Sequence, residues 1–61
     1  MGSMYFSIYK DARGEFRWRL WASNKRIIAD SGEGYHNKAD CIHAINLIKS
    51  ESPKAVLVDA T

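Results

Sequence analysis

Between Asp30 and Cys41 the chain changes its period. Upstream, apolar residues alternate with polar ones; downstream, they recur every three or four positions. A two-residue period belongs to a strand with one buried face, and a 3.6-residue period to a helix with one buried stripe. The change limits the chain to a sheet followed by a helix packed on it. The connecting stretch, Ser31-Gly32-Glu33-Gly34-Tyr35-His36-Asn37, carries two glycines. These can take positive φ without a Cβ clash, so a sharp turn is expected there. Asn37 is the expected N-cap, with its side-chain oxygen accepting from first-turn amides, and Asp40 brings a carboxylate to the positive helix end.

Upstream of the junction, Met4, Phe6 and Ile8 alternate with Tyr5, Ser7 and Tyr9, which predicts a strand over Met4–Lys10. Asp11-Ala12-Arg13-Gly14 has the composition of a turn. From Glu15 to Ala22, Phe16, Trp18 and Leu20 point one way and Arg17, Arg19 and Trp21 the other, so the two strands form an antiparallel hairpin. Ser23-Asn24-Lys25 makes a second tight connection into a third strand, Arg26–Ser31. Downstream, a helix is expected over Lys38–Ser50 with Cys41, Ala44, Ile45 and Ile48 on its buried side. Pro53 ends it. Ala55-Val56-Leu57-Val58 then reads as a short strand buried on both faces, to be paired in its own sheet or in another molecule's. The fold class is α+β, in the order β-β-β-α-β.

At 61 residues this is a single domain, at the small end of what folds unaided. Domains of this size without disulfides or metals often gain burial by association. One cysteine excludes an intrachain disulfide, and a reduced, cytoplasmic setting is the expectation. No signal peptide or membrane span is visible. Met1-Gly2-Ser3 has the look of an expression scar, leaving 4–61 as the domain. A net charge of +2 is compatible with nucleic-acid binding without pointing to it.

Three groups of residues are candidates for chemistry. Arg17, Arg19 and Trp21 share a strand face, with Arg26 at the following turn. Cations beside an aromatic can grip phosphates and stack a base, although the solvated face of a one-sided sheet carries the same pattern. The second group is Gly32, Gly34, His36, Asn37 and Lys38, a glycine-rich turn feeding a helix N-terminus, where free amides can hold an anion. It lacks the Gly-Lys-Ser/Thr of a P-loop and is flanked by Asp30, Glu33 and Asp40, so a structural turn is the leading reading. The third is Cys41 with His36 and His43. His43 points away from Cys41 on a helix, a free cysteine on an apolar face is usually a small hydrophobe, and the spacing matches no zinc site. No cofactor, metal or catalytic residue is assigned.

Three separated motifs carry a family resemblance: Tyr5-Phe6-Ser7-Ile8-Tyr9-Lys10-Asp11, Gly14-Glu15-Phe16-Arg17-Trp18-Arg19-Leu20, and Ser31-Gly32-Glu33-Gly34-Tyr35 followed by Lys38 and Cys41. Together they resemble the YegP-like family of small, mostly bacterial proteins of unknown function, over Met4–Asp59. The resemblance implies paired β-β-β-α-β units, in tandem or as two subunits, sharing one sheet and exchanging C-terminal strands. For a single-unit chain it implies a homodimer. The leading expectation is therefore a non-enzymatic interaction or structural module whose partner is a second copy. The alternatives are a weak nucleic-acid or anion binder and, ranked last, a thiol enzyme using Cys41.

Overall fold

The computed structural model describes residues 2–61; Met1, part of the segment set aside above, lies outside the described residues. Three strands, β1 (Tyr5–Lys10), β2 (Phe16–Trp21) and β3 (Ile27–Asp30), form an antiparallel sheet in the order β1-β2-β3. One helix, α1 (Lys38–Glu51), follows and ends in a single 3-10 turn, Ser52–Lys54. The β1–β2 register pairs Phe6 with Leu20 and Ile8 with Trp18, which puts the apolar residues of both strands on one face. α1 lays Cys41, Ala44, Ile45 and Ile48 on that face. Trp18, Cys41 and Ile45 are buried, with Phe6, Ile8, Phe16, Leu20, Ala29, Tyr35 and Ile48 packed around them. Phe6 and Trp18 meet edge to face, ring centroids 5.6 Å apart, an arrangement that the ring quadrupoles favour.

The two hairpin turns share one design. In the first, Asp11 N donates to Glu15 O and Gly14 N to Asp11 O, with Gly14 at φ 79°. In the second, Ala22 N donates to Arg26 O and Lys25 N to Ala22 O, with Lys25 at φ 68°. Each is a three-residue loop whose last residue is left-handed, a connection that suits the strand twist. The second uses lysine where the geometry favours glycine. β2 and β3 slip register between Leu20 and Trp21.

Asp11 organises the first turn. Its Oδ1 accepts from Arg13 N at 2.9 Å and Glu15 N at 3.0 Å, and its Oδ2 accepts from Arg17 Nε at 2.6 Å. That guanidinium and the two amides hold the Asp11 carboxyl below the usual carboxylate range. Just past β3, buried Ser31 extends the pairing through its own side chain: Trp18 N donates to Ser31 Oγ at 3.2 Å, and Ser31 N to Trp18 O at 3.0 Å.

The junction departs from expectation in two respects. Neither Gly32 nor Gly34 has positive φ; Gly14 is the one glycine that does among the described residues. What Gly34 supplies is room. A Cβ there would overlap Glu15 Oε1 and come within 2.9 Å of Glu15 Cβ, because Phe16 and the neighbouring Tyr35 exchange two backbone hydrogen bonds, Phe16 N to Tyr35 O at 2.7 Å and Tyr35 N to Phe16 O at 2.8 Å. The turn is thus tied to the start of β2. Asn37 is the N-cap with extended backbone, yet its side chain makes no capping bond. Its Nδ2 donates to Asp40 Oδ2 at 3.4 Å instead, and the amides of Asp40 and Cys41 donate to the Asn37 carbonyl.

The expected last strand is absent from the chain's own sheet. Residues 55–61 form no helix or strand, and Val56, Leu57 and Val58 are 84%, 88% and 83% exposed.

Candidate functional site

Two surfaces remain open around this core. The first is a groove of about 530 Å³ between the free edge of β1 and the C-terminal half of α1, with Met4, Phe6, Leu20, Ile45 and Ile48 as its apolar lining and Ser52 at its rim. A smaller hollow at the opposite end of β1 takes in Ile8, Lys10, Phe16 and Lys38. The helix start therefore lies by the end of β1, the helix end lies by its beginning, and the two elements run antiparallel. Residues 55–61 leave α1 beside the mouth of the groove without entering it.

The second surface is the sheet face that α1 does not cover. Its register places Tyr5 opposite Trp21, Ser7 opposite Arg19 and Tyr9 opposite Arg17. Here Arg17, Arg19 and Trp21 sit together, as their spacing predicts, and each is already engaged. Trp21 Nε1 donates to Ser7 Oγ at 2.9 Å, and the Trp21 and Tyr5 ring planes lie 10° apart with centroids at 6.0 Å. The Arg19 guanidinium lies 4.3 Å from the Tyr9 ring centroid, within cation–π range, and its Nε is buried without a hydrogen-bond partner. Arg17 is bound to Asp11 and donates through Nη1 to Ser31 O at 3.2 Å. Arg26 is exposed at the β2–β3 turn, beyond the Trp21 end of the face. Asp11, Ser7 and Tyr9, which orient these side chains, were not singled out from sequence. The signal for Ser7 and Tyr9 was present in the hairpin register, which puts them opposite Arg19 and Arg17.

The residues of the anion reading do not converge. Glu15 packs against Gly34 and its carboxylate reaches His36 Nε2 at 3.7 Å, so a negative group already occupies the turn. Lys38 turns instead toward the hollow it shares with Lys10. His36 is 88% exposed. Cys41 is fully buried, and burial pushes its thiol pKa up, away from the thiolate that nucleophilic chemistry requires. Among the described residues no three His, Cys, Asp or Glu side chains are grouped to hold a metal, and no helix is long and apolar enough to cross a membrane.

A family model described as a domain of unknown function, DUF1508, matches residues 11–59. The chain belongs to the DUF1508 family. Its relatives carry the label UPF0339. One from Neisseria meningitidis serogroup B is 64% identical over 47 residues, covering 77% of this chain and 82% of that one. Another, from Agrobacterium fabrum, is 50% identical over 56 residues, 92% of this chain and 89% of the relative. An archaeal member, from Methanosarcina acetivorans, is 40% identical over 53 residues, 87% of this chain and 90% of its own. The solution structure of a protein from Haloferax volcanii superposes with a TM-score of 0.88 at 38% identity, covering 98% of this chain and all of that one. The DUF1508 assignment agrees with the YegP-like resemblance and with the three-strand, one-helix arrangement. None of these names states a reaction or a ligand.

Proposed function

We propose that this DUF1508 chain is a non-enzymatic interaction module of the cytoplasm. It works as a homodimer in which each copy lays its C-terminal segment along β1 of the other. The observation that carries the reading is surplus surface. A compact monomer of 6.9 kDa exposes about 4,000 Å², whereas this chain exposes 5055 Å². The excess, about 1,000 Å², is close to one partner's share of a standard protein interface, about 800 Å².

Val56, Leu57 and Val58 are the most exposed of the large hydrophobic residues. Seven residues, 55–61, span about 23 Å when extended, enough to pair along all of β1. Val56 and Val58 then face the same way, toward Phe6, Ile45 and Ile48, and the unpaired edge of β1 gains a neighbour. Strand addition of this kind supplies main-chain hydrogen bonds for affinity and side-chain pockets for register. A relative from Stutzerimonas stutzeri supports the pairing of units: the 48 residues matched there are 42% of its length, which leaves room for a second unit in one chain.

The test is isotope-filtered NMR on a mixture of labelled and unlabelled protein. Contacts from the Val56 and Val58 methyls to Ile45 and Leu20 should appear across molecules. If they appear within one molecule, or if the valines have no such contacts, the reading is wrong.

A further inference from the structure

We infer that the uncovered face of the sheet is a platform for single-stranded nucleic acid, independent of the groove and of the C-terminal exchange. Two observations meet on this face, and a third concerns the half of the chain that carries it. The first is composition. Tyr5, Tyr9 and Trp21 stand on a surface that no helix covers, interleaved with Arg17, Arg19 and Ser7 by the β1–β2 register. Aromatic rings beside guanidinium groups suit an unpaired strand, because each base offers a flat face for stacking and each phosphate accepts from an arginine. From Tyr5 to Tyr9 the row extends about 14 Å along β1.

The second observation is order. Trp21 is fixed by its bond to Ser7 and lies near-parallel to Tyr5. Arg19 is laid over Tyr9 and Arg17 is tied to Asp11. A ligand would find these side chains already placed, so less rotamer freedom is lost on binding. The third is the distribution of charge. Residues 4–31 hold Lys10, Arg13, Arg17, Arg19, Lys25 and Arg26 against Asp11, Glu15 and Asp30, a net of +3; residues 32–61 hold Lys38, Lys49 and Lys54 against Glu33, Asp40, Glu51 and Asp59, a net of −1. The small net charge of the chain thus conceals a basic sheet half and a weakly acidic helix half. Lys10 lies on the helix side of the sheet, over Phe16 and beside Lys38, so Arg17 and Arg19 are the cations that the β1–β2 register puts on the uncovered face itself.

Asp11 beside Arg17, and Asp30 opposite Arg19 in the β2–β3 register, temper the charge of the face. Binding is accordingly weak, with a Kd on the order of 10–100 μM near physiological salt.

The experiment is fluorescence anisotropy of a fluorescein-labelled 12-nucleotide single-stranded DNA, with a duplex of the same sequence in parallel. The single strand should bind with quenching of tryptophan fluorescence, and the duplex should bind at least about fivefold more weakly because its base faces are hidden. Trp21→Ala should weaken single-strand binding by at least about fivefold. Arg26→Ala, at an exposed turn position that leaves the fold intact, should shrink the log–log salt slope by about 0.7. Lys49→Ala, on the helix half, should change neither. Absence of binding by wild type up to about 1 mM, well above the non-specific range, overturns the inference. So does equal binding of duplex and single strand, or affinity indifferent to both Trp21→Ala and Arg26→Ala.

Discussion

Replacing Lys25 with glycine should stabilise this protein, and replacing Gly14 with alanine should destabilise it by a similar amount. Both residues close three-residue hairpin loops in the left-handed region, at φ 68° and 79°. A residue with a Cβ pays about 1–2 kcal/mol there. Glycine avoids that cost but gives back about 0.5–1 kcal/mol through the greater freedom of its unfolded chain. The Lys25 side chain is exposed, and the one backbone bond of its amide, to Ala22 O, survives in Lys25→Gly. The net gain is therefore about 0.5–1 kcal/mol, or a rise in Tm of about 2–8 °C for a domain of this size. At Gly14 a Cβ would meet nothing within 4 Å, so Gly14→Ala isolates the backbone term with the opposite sign. The assay is thermal unfolding followed by circular dichroism at one fixed protein concentration, since association makes Tm concentration-dependent. An unchanged or lower Tm for Lys25→Gly, or a harmless Gly14→Ala, would refute the reasoning about both turns.

Ser31→Ala leaves the Trp18 amide without its side-chain acceptor in a buried setting. It should cost about 1–3 kcal/mol in urea denaturation; a cost near zero would show that the bond contributes nothing. Cys41 is fully buried with its thiol pKa raised, so a thiol-disulfide probe at neutral pH should react far more slowly with native protein than with denatured protein. Equal rates would contradict the core placement. Asp11 is held below its ordinary pKa by Arg17, so its contribution is complete above the unfolded carboxylate value of about 3.9 and fades as pH falls through the lower folded value. Asp11→Asn should flatten the acid limb of a stability–pH curve, and an unaltered limb would show that another carboxylate is responsible.

The parts of the fold that the sequence disclosed are those governed by period. The alternation of Phe16, Trp18 and Leu20 with Arg17, Arg19 and Trp21 decides which face of β2 is buried, and the spacing of Cys41, Ala44, Ile45 and Ile48 decides the buried stripe of α1. Both hold because a single apolar face has one place to go. Details set by tertiary neighbours were hidden. Gly34 is needed for the room that Glu15 occupies, a contact created only when Phe16 and Tyr35 pair across the fold. Asn37 does not cap with its side chain; its Nδ2 donates to Asp40 and the backbone carbonyl of Asn37 takes the first-turn amides. The basic face was legible as a group but not as a network, since Asp11, Ser7 and Tyr9 come into reach of Arg17, Trp21 and Arg19 only through the hairpin. Ala55–Val58 is the instructive case: its apolar, β-branched run predicts a strand, and the segment forms none in this chain's own sheet.

That last point is also the most direct test of the account. Light scattering across a concentration series should give a mass twice 6.9 kDa, falling toward the monomer's when Val56→Asp and Val58→Asp are combined. A wild-type mass of 6.9 kDa at every concentration would contradict the exchange of C-terminal segments and leave the groove beside β1 without its proposed occupant.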